Sequence, residues 1–435
     1  MPDEAVIGQP EQSAAQGEGT RRRWAYLLPL VFITYSLAYL DRANYGFGAA
    51  AGLAATLHIS GSQNALLGSL FFLGYFLFQI PGASYAHRRS ATRLVFFALL
   101  AWGALASLTG VIRLFWLLAL DRTLLGVAES VIFPAMLILL SSWFTRSERS
   151  RANAILILGN PVTVTWMSAV TGYIIKAAGW QWAFIIEGVP SVVWAFVWIA
   201  VVHDHPRQAK WLNKPSQDWI ELELEREQES LPHMKNLLAA LRIPAVILLC
   251  AQFLTWSIGV YGLVLWLPTM IRAGSKQGIG RVGLLTAVPY LLAVILMVLV
   301  AYFSDRALER ERFVAPFLIL AGVAFFSSYL ATGTSFWLSY VCLIVACAGM
   351  YAPYGPFWAI MPEMMPKNVS GEVMALVNSF GAMGGFIGAY GVGLLQAKTG
   401  SARAGIFLMS VALLLSGILT LCLPKPKKHP QPQRA

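Results

Sequence analysis

Long apolar stretches separated by short polar ones run through almost the whole 435-residue chain. A helix that crosses a bilayer needs about 20 predominantly apolar residues, and most of these stretches reach that length. We predict twelve spanning helices, with approximate bounds 24–50, 64–86, 94–112, 115–141, 152–176, 182–202, 244–271, 282–303, 313–332, 335–359, 372–396 and 403–423.

The longest polar connection, residues 203–243, divides the twelve segments into six and six. The pattern therefore predicts an all-α membrane protein with two six-helix bundles, residues 23–202 and 244–423. Residues 1–22 are expected to form a disordered tail, and residues 424–435 a basic tail. Within the linker, Ser216 precedes an acidic amphipathic stretch and is placed to cap a short helix on the membrane surface.

Composition agrees with this class, because the chain is 57% hydrophobic and only 12% charged. A soluble domain needs more charge to cover its surface. The net charge of +11 could suggest a nucleic-acid partner. However, 23 of the 32 Lys and Arg residues fall on the side of the predicted termini, 7 on the other side, and two within spans. This bias predicts that both termini are cytoplasmic, and it assigns the charge to the membrane surface.

The two halves resemble each other where their second spans end. Span two ends with His87-Arg88-Arg89, and span eight ends with Asp305-Arg306, each followed by further arginines. This similarity indicates an internal repeat. Parallel six-helix repeats place a substrate site at the midplane between the halves.

Charged residues within the spans are the first candidates for chemistry. Asp41 and Arg42 are adjacent in span one, and Arg122 and Glu129 lie seven residues apart in span four. Each such charge costs roughly 3 kcal/mol in a bilayer unless it is paired or faces water. Counting residues along the helices places the two arginines at similar depth in the membrane. This arrangement suits bidentate binding of a carboxylate.

Burial favours the protonated form of a carboxyl group, so Glu129 could load and release a proton. The alternatives are static: a structural ion pair at Asp41 and Arg42, or an Arg122–Glu129 network that holds spans one and four together.

Other polar residues within the spans leave two interpretations open. The amides Gln252 and Asn378 could bind substrate hydroxyls or bridge helices. Tyr39, Tyr75 and Trp358 could line a cavity, although tyrosine and tryptophan are also ordinary packing residues. We expect Glu187, near the outer end of span six, to be structural. The sequence shows neither metal-ligand spacing among its four cysteines nor a nucleotide-binding or catalytic motif, so we expect no metal, no disulfide and no enzyme activity.

Five motifs occur together in this chain: Tyr39-Leu-Asp41-Arg42-Ala-Asn44, Gln79-Ile-Pro81-Gly82, Arg122-Thr-Leu-Leu-Gly126-Val-Ala-Glu129, Trp143-Phe-Thr-Arg-Ser-Glu148-Arg149 and Asn378-Ser-Phe-Gly381. Because of these motifs, residues 22–423 resemble the anion:cation symporter branch of the major facilitator superfamily. Longer stretches are similar to 2-ketogluconate permeases, namely residues 43–48, 158–163, 256–261 and 351–357.

The resemblance implies a role for each candidate residue. Asp41 and Glu129 would carry protons, Arg42 would bind the substrate carboxylate, and Arg122 would tune Glu129. The implied substrate contacts are Tyr39, Tyr75, Gln252, Trp358 and Asn378. The implied gating motif comprises Arg88, Asp305 and Arg306, with His87 where the family has an acid.

The implied function is import of a sugar acid such as 2-ketogluconate together with protons. The proton gradient would supply the energy, with no cofactor, in a bacterial inner membrane, and the fold can transport as a monomer. Alternatives are another hydroxycarboxylate (galactonate, gluconate, hexuronate or tartrate), an uncoupled anion uniporter, or a drug efflux antiporter. Two arginines at the site would repel a cationic drug.

Overall fold

The computed structural model describes residues 9–229, 243–307, 310–364 and 370–423. This part of the chain is helical almost throughout. Its helices, in chain order, are α1 Gln9–Ala51, α2 Leu53–Thr56, α3 Gly61–Arg88, α4 Ala91–Thr109, α5 Phe115–Ser130, α6 Ile132–Trp143, α7 Arg146–Ala178, α8 Trp180–Val201, α9 Lys214–Glu229, α10 Pro244–Ser275, α11 Ile279–Ala307, α12 Ala315–Ala331, α13 Phe336–Tyr351, α14 Tyr354–Met364, α15 Ser370–Thr399 and α16 Arg403–Leu421.

The predicted spans are confirmed. Eleven helical stretches of the described chain are long and apolar enough to cross a membrane, and α12 is a shorter apolar helix in the place of span nine. Spans four and ten are each divided into two helices, α5 with α6 and α13 with α14. Pro134 and Pro356 lie just after the two breaks. A proline ring clashes with the carbonyl four residues earlier, here that of Ser130 and Ala352, which interrupts the helix.

The two halves meet chiefly along two helix pairs, α3 with α15 and α7 with α11, and also where α1 contacts α10. In each pair, the second span of one half packs against the fifth span of the other. This reciprocal pairing is what an approximate twofold relation between the halves requires. We call the membrane face that carries α9 the linker face, and the opposite one the far face.

Close backbone approach joins the halves towards the far face. A Cβ atom at Gly46 of α1 would lie 2.5 Å from the carbonyl oxygen of Leu265 in α10, so only glycine fits here. Nearby, the Arg272 guanidinium donates to the carbonyl of Ala50. Towards the linker face, the hydroxyl of Ser379 in α15 donates to Oε1 of Gln79 in α3 at 3.1 Å.

The first helix begins earlier than the sequence predicts. Residues 9–22, expected within a disordered tail, are part of α1. The adjoining Arg23 is fully buried and donates to the Trp143 carbonyl at 2.5 Å, and it pairs with Glu148 at 3.1 Å. Arg22 donates to the carbonyl of Trp211 in the linker. These partners are distant in sequence, so the local pattern does not reveal them. Residues 1–8 and the predicted basic tail 424–435 lie outside the described residues.

The predicted linker helix is α9, and it packs against α1. Its cap differs from the prediction, because Oδ1 of Asn213 accepts from the backbone N–H of Ser216 at 3.1 Å. Asn213 is therefore the capping residue, and Ser216 lies within the first turn. The indole ring of Trp211 stacks on that of Trp143 at 5.2 Å, which attaches the start of the linker to the N-terminal half. Linker residues 230–242 are not among those described.

We predict that Arg23→Ala destabilises the protein by about 3–5 kcal/mol, because it leaves Glu148 without its cationic partner in a buried position. The measurement is the midpoint of thermal unfolding in detergent, which should fall by several degrees. Arg21→Ala, at an exposed position on the same helix, is the control and should leave the midpoint unchanged. Equal midpoints for both variants would contradict a stabilising role for the buried pair.

We predict that Gly46→Ala separates α1 from α10, since the methyl group has no room against the Leu265 carbonyl. Spin labels are attached at the exposed residues Ala55 and Lys276 of a variant that lacks the native cysteines. Electron paramagnetic resonance then measures the distance between the two labels across the far face. The distance distribution should move to longer values than in the parent protein. Gly278→Ala, where a Cβ meets nothing within 4 Å, is the control. An unchanged distribution in Gly46→Ala would show that this contact does not hold the far face together.

Candidate functional site

The candidate site forms around Arg42, in the middle of the molecule. Its Nε donates to Oε2 of Glu129 at 2.9 Å, and both side chains are almost completely buried. The pair joins α1 to α5. The structure thus brings these two predicted residues together, with Arg42 rather than Arg122 as the partner of Glu129.

Glu129 accepts from Nε of the Arg42 guanidinium. The guanidinium carbon lies 4.7 Å and 4.8 Å from the ring centres of Tyr39 and Tyr75, so aromatic faces also contact the cation. Nη2 of Arg42 has no hydrogen-bond partner among the described residues. A buried N–H without a partner costs free energy. Nη2 is therefore available to donate to a carboxylate ligand.

Arg122 lies at the same level as Arg42, as predicted from helix geometry. The guanidinium carbons of Arg42 and Arg122 are 5.4 Å and 5.6 Å from the same ring, that of Phe71. Arg122 also lies over Tyr45 at 4.8 Å, and its Nε has no hydrogen-bond partner in the described part of the chain. The two cations thus lie in one buried region, beside the Phe71 ring.

Asp41 faces a different neighbour from the adjacent Arg42. Successive residues of an α-helix point about 100° apart. Oδ2 of Asp41 accepts from the indole N–H of Trp102 in α4, while Oδ1 finds no hydrogen-bond partner among described residues. The ion pair of Arg42 is with Glu129, and in the described part of the chain none joins Asp41 to Arg42.

A small cavity lies between the halves, with room for about one water molecule. The N-terminal half supplies Arg42, Phe71, Phe72 and Tyr75, and the C-terminal half supplies Phe253, Tyr261, Asn378, Gly381 and Ala382. Most of these side chains are aromatic. Among them, Arg42 is the charged group and Asn378 the amide, an arrangement that suits a small anion with an apolar or ring-shaped body.

The remaining predicted contacts are distributed around this cavity. Tyr75 and Asn378 line it. The hydroxyl oxygens of Tyr39 and Tyr261 are 3.4 Å apart, which links the two halves. Trp358 is not part of the lining, but it packs on the lining residue Phe253 with ring centres 5.2 Å apart.

Two groups of predicted residues are not at the cavity. Gln252 is absent from its lining, and its amide donates to Thr420 of α16 at 3.2 Å. The gating residues Arg88 and Arg306 are exposed, with Arg306 over the ring of Tyr302 at 5.0 Å. The side chain of Asp305 lies outside the described structure.

Sequence reasoning missed several residues of the site. Trp102 is the partner of Asp41, and Phe71, Phe72 and Phe253 form much of the lining. Aromatic residues are common in apolar spans for packing alone, so their identity carried no signal. A helical-wheel comparison with the charged positions could have selected the aromatic residues on the same face.

Full-length similarity to known transporters agrees with this arrangement. The chain is 31% identical to a putative tartrate transporter of Agrobacterium vitis over 92% of this chain and 90% of that protein. It is 30% identical to a quinolone resistance transporter of Acinetobacter baumannii, with 91% and 92% covered. A probable galactarate/D-glucarate transporter of Escherichia coli is 24% identical, with 93% and 95% covered.

Solved structures and the family profile complete the comparison. A bacterial homologue of the human lysosomal transporter Spinster, in an inward-facing and occupied conformation, superposes with a TM-score of 0.71 at 15% identity, covering 92% of this chain and 96% of that one. This likeness shows the fold. The profile of the Major Facilitator Superfamily matches residues 31–389. With its two six-helix halves around a buried polar site, the chain belongs to the Major Facilitator Superfamily.

Proposed function

We propose that this protein is a proton-coupled symporter that imports a small organic carboxylate by alternating access. The observation that carries the proposal is the Arg42 side chain, which lines the cavity, pairs with Glu129 through Nε, and has no hydrogen-bond partner for Nη2 among the described residues. The relatives named for tartrate and for galactarate/D-glucarate support a carboxylate substrate. The similarity of the motifs to 2-ketogluconate permeases makes that sugar acid the first candidate.

Charge balance explains why anion binding would need a proton. The ion pair of Arg42 and Glu129 is neutral as a whole. Adding a monovalent anion leaves this pair with a charge of −1, and an uncompensated buried charge is costly. One proton on Glu129 restores neutrality. It also weakens the hold of Glu129 on Arg42, so the substrate carboxylate can take its place.

Alternating access requires that the contacts between the halves open in turn. With the predicted orientation, the far face is extracytoplasmic. Opening it separates Arg272 from Ala50, and opening the linker face separates Gln79 from Ser379. Since the cavity has room for about one water, substrate enters only when one of these contacts has opened. Protonation and substrate binding together provide the neutral site that allows the halves to rock.

The driving force depends on the number of protons. Each elementary charge moving through 100 mV contributes about 2.3 kcal/mol. One monovalent anion with one proton is electroneutral and uses only the pH difference. A second proton, on Asp41, would add the voltage term.

We predict that Arg42→Lys lowers kcat/KM for uptake about 10–100-fold. Lysine keeps the charge, but its compact ammonium group lacks the planar fork that can face Glu129 and a second carboxylate together. Initial rates of labelled substrate uptake measure the effect. Arg113→Lys, at an exposed position on the far face, is the matched control and should transport at the parental rate. Parental uptake by Arg42→Lys would remove Arg42 as the carboxylate ligand.

We predict that Glu129→Gln abolishes gradient-driven accumulation while counterflow exchange continues, because the amide keeps the shape but cannot carry a proton. The assay is uptake of labelled 2-ketogluconate into proteoliposomes, with and without an inward proton gradient. Gluconate, galactonate, glucuronate and tartrate are tested as competitors. Equal uptake with and without the gradient would replace symport by uniport. Lack of transport of every acid would remove the substrate class.

A second candidate function is export of an aromatic carboxylate drug. It is favoured by the quinolone resistance relative and by the predominantly aromatic cavity lining, since quinolones carry a carboxylate on a fused ring system. Expression in a drug-sensitive host tests it. A raised quinolone tolerance that disappears in Arg42→Lys would support export, and unchanged tolerance would leave import of small acids.

A further inference from the structure

Another buried acid, Glu187, lies apart from Asp41 and Glu129. Glu187 is in α8, and 2% of its surface is exposed. Its Oε1 accepts from the hydroxyl of Thr171 in α7 at 2.7 Å, and its Oε2 has no hydrogen-bond partner among described residues. None of the ion pairs found in the described chain involves Glu187. From the sequence we expect a structural acid here, and the described residues supply no cation that pairs with Glu187.

The Thr171 hydroxyl also faces α1. It lies 3.5 Å from Oδ1 of Asn44, which is 1% exposed and whose Nδ2 has no partner in the described structure. Asn44 and Asp41 are three residues apart on α1, so they share a helix face. Polar groups therefore follow one another from Glu187 through Thr171 and Asn44 to Asp41.

The order of these groups across the membrane is defined by the helix ends. Glu187, Thr171 and Asn44 each lie seven residues from the far-face end of their helix, which is about 10 Å along the axis. Asp41 lies ten residues from the end of α1, or about 15 Å. Glu187 is thus nearer to the far face than Asp41 is.

The polar groups that face Glu187 from the described helices around it are neutral or acidic. Helix α8 packs against α4, α1 and α7. At this level α4 contributes Ser107, whose hydroxyl donates to the carbonyl of Ile185. From α7 comes Thr171, which contacts both Glu187 and Asn44 of α1. Asp41, three residues before Asn44 on the same helix face, is the titratable group of this row. A carboxylate in such a place is satisfied by a proton, and chains of acids of this kind form proton relays in membrane proteins.

We propose that Glu187 is a proton-binding site that passes protons between the far face and Asp41. A proton leaves the Glu187 carboxyl group and binds the Asp41 carboxylate, so the pair keeps a total charge of −1 throughout. Thr171 orients the Glu187 carboxyl group through its hydrogen bond. The inference depends on the proposed proton coupling, in which Asp41 and Glu129 set the number of protons transported.

The test compares Glu187→Gln with the parent protein in proteoliposomes, at several external pH values. A relay affects the rate of proton delivery but not the stoichiometry. We therefore expect the initial rate of gradient-driven 2-ketogluconate uptake to fall at least tenfold. Counterflow exchange and the final accumulation ratio should stay at parental values. Glu187→Asp should recover part of the rate, because it restores a carboxyl group.

A second pair of variants separates the relay from simple loss of packing. Thr171→Val removes the hydroxyl that orients Glu187 and should slow gradient-driven uptake several-fold without affecting counterflow. Thr165→Val is its matched control on the same helix, since that hydroxyl bonds only the Pro161 carbonyl of its own turn in the described structure. The amount of folded protein is measured for every variant by size-exclusion chromatography.

The outcomes distinguish the two proposals. If the parent protein does not accumulate any of the acids in response to the gradient, the proposed function fails. If the parent accumulates substrate and Glu187→Gln does so at the same rate at every pH, the relay is overturned. A parallel loss of counterflow in Glu187→Gln and Glu187→Asp would assign Glu187 a structural role instead. A lower accumulation ratio in Glu187→Gln would also overturn the relay, because it would make Glu187 part of the stoichiometry.

Discussion

The buried ion pair of Arg42 and Glu129 is the interaction on which the site depends. Removing two charges from water is expensive, and their mutual attraction often does no more than offset that cost. Such a pair contributes little to stability, but it can be exchanged. In the proposed symport, a second carboxylate would replace Glu129 when Glu129 is neutral, and Nη2 of Arg42, which has no partner among the described residues, would donate to it first. One contact can thus connect the protonation of an acid to the binding of an anion.

The adjacency of Asp41 and Arg42 extends this connection through the N-terminal half. Because neighbouring residues of a helix point in different directions, Arg42 faces the cavity while Asp41 faces Trp102. Asn44, one turn further, continues the Asp41 face towards Thr171 and Glu187. A rotation or shift of α1 would therefore move the anion ligand and the acid together. Rigid attachment of the two groups to one helix is a simple mechanical basis for coupling.

The sequence predicts those parts of the structure that are governed by the cost of burial. Apolar length locates the spans, and charges within them mark Asp41, Arg42, Arg122 and Glu129 as central. Which arginine meets Glu129 depends on helix rotation to within a fraction of a turn, and no pattern in the sequence specifies that. The rotation of α10 is likewise not specified by the sequence. Gln252 is a polar residue within that span, but its amide faces α16 and donates to Thr420. Contacts between distant segments, such as Arg22 with Trp211, follow only from the assembled fold.

The halves are alike in helix arrangement but unlike in charge. All the buried acids and arginines of the described chain lie in the N-terminal half, whereas the C-terminal half contributes buried hydroxyls, amides and aromatic rings. An uncharged surface can move across the site without removing further ions from water, so its motion adds no desolvation cost. The N-terminal half would then determine when the halves can rock. Its net charge would depend on whether Arg42 has bound the substrate anion and on whether the buried acids of this half are protonated. The C-terminal half, with Phe253, Tyr261 and Asn378, would close over the substrate and select its shape.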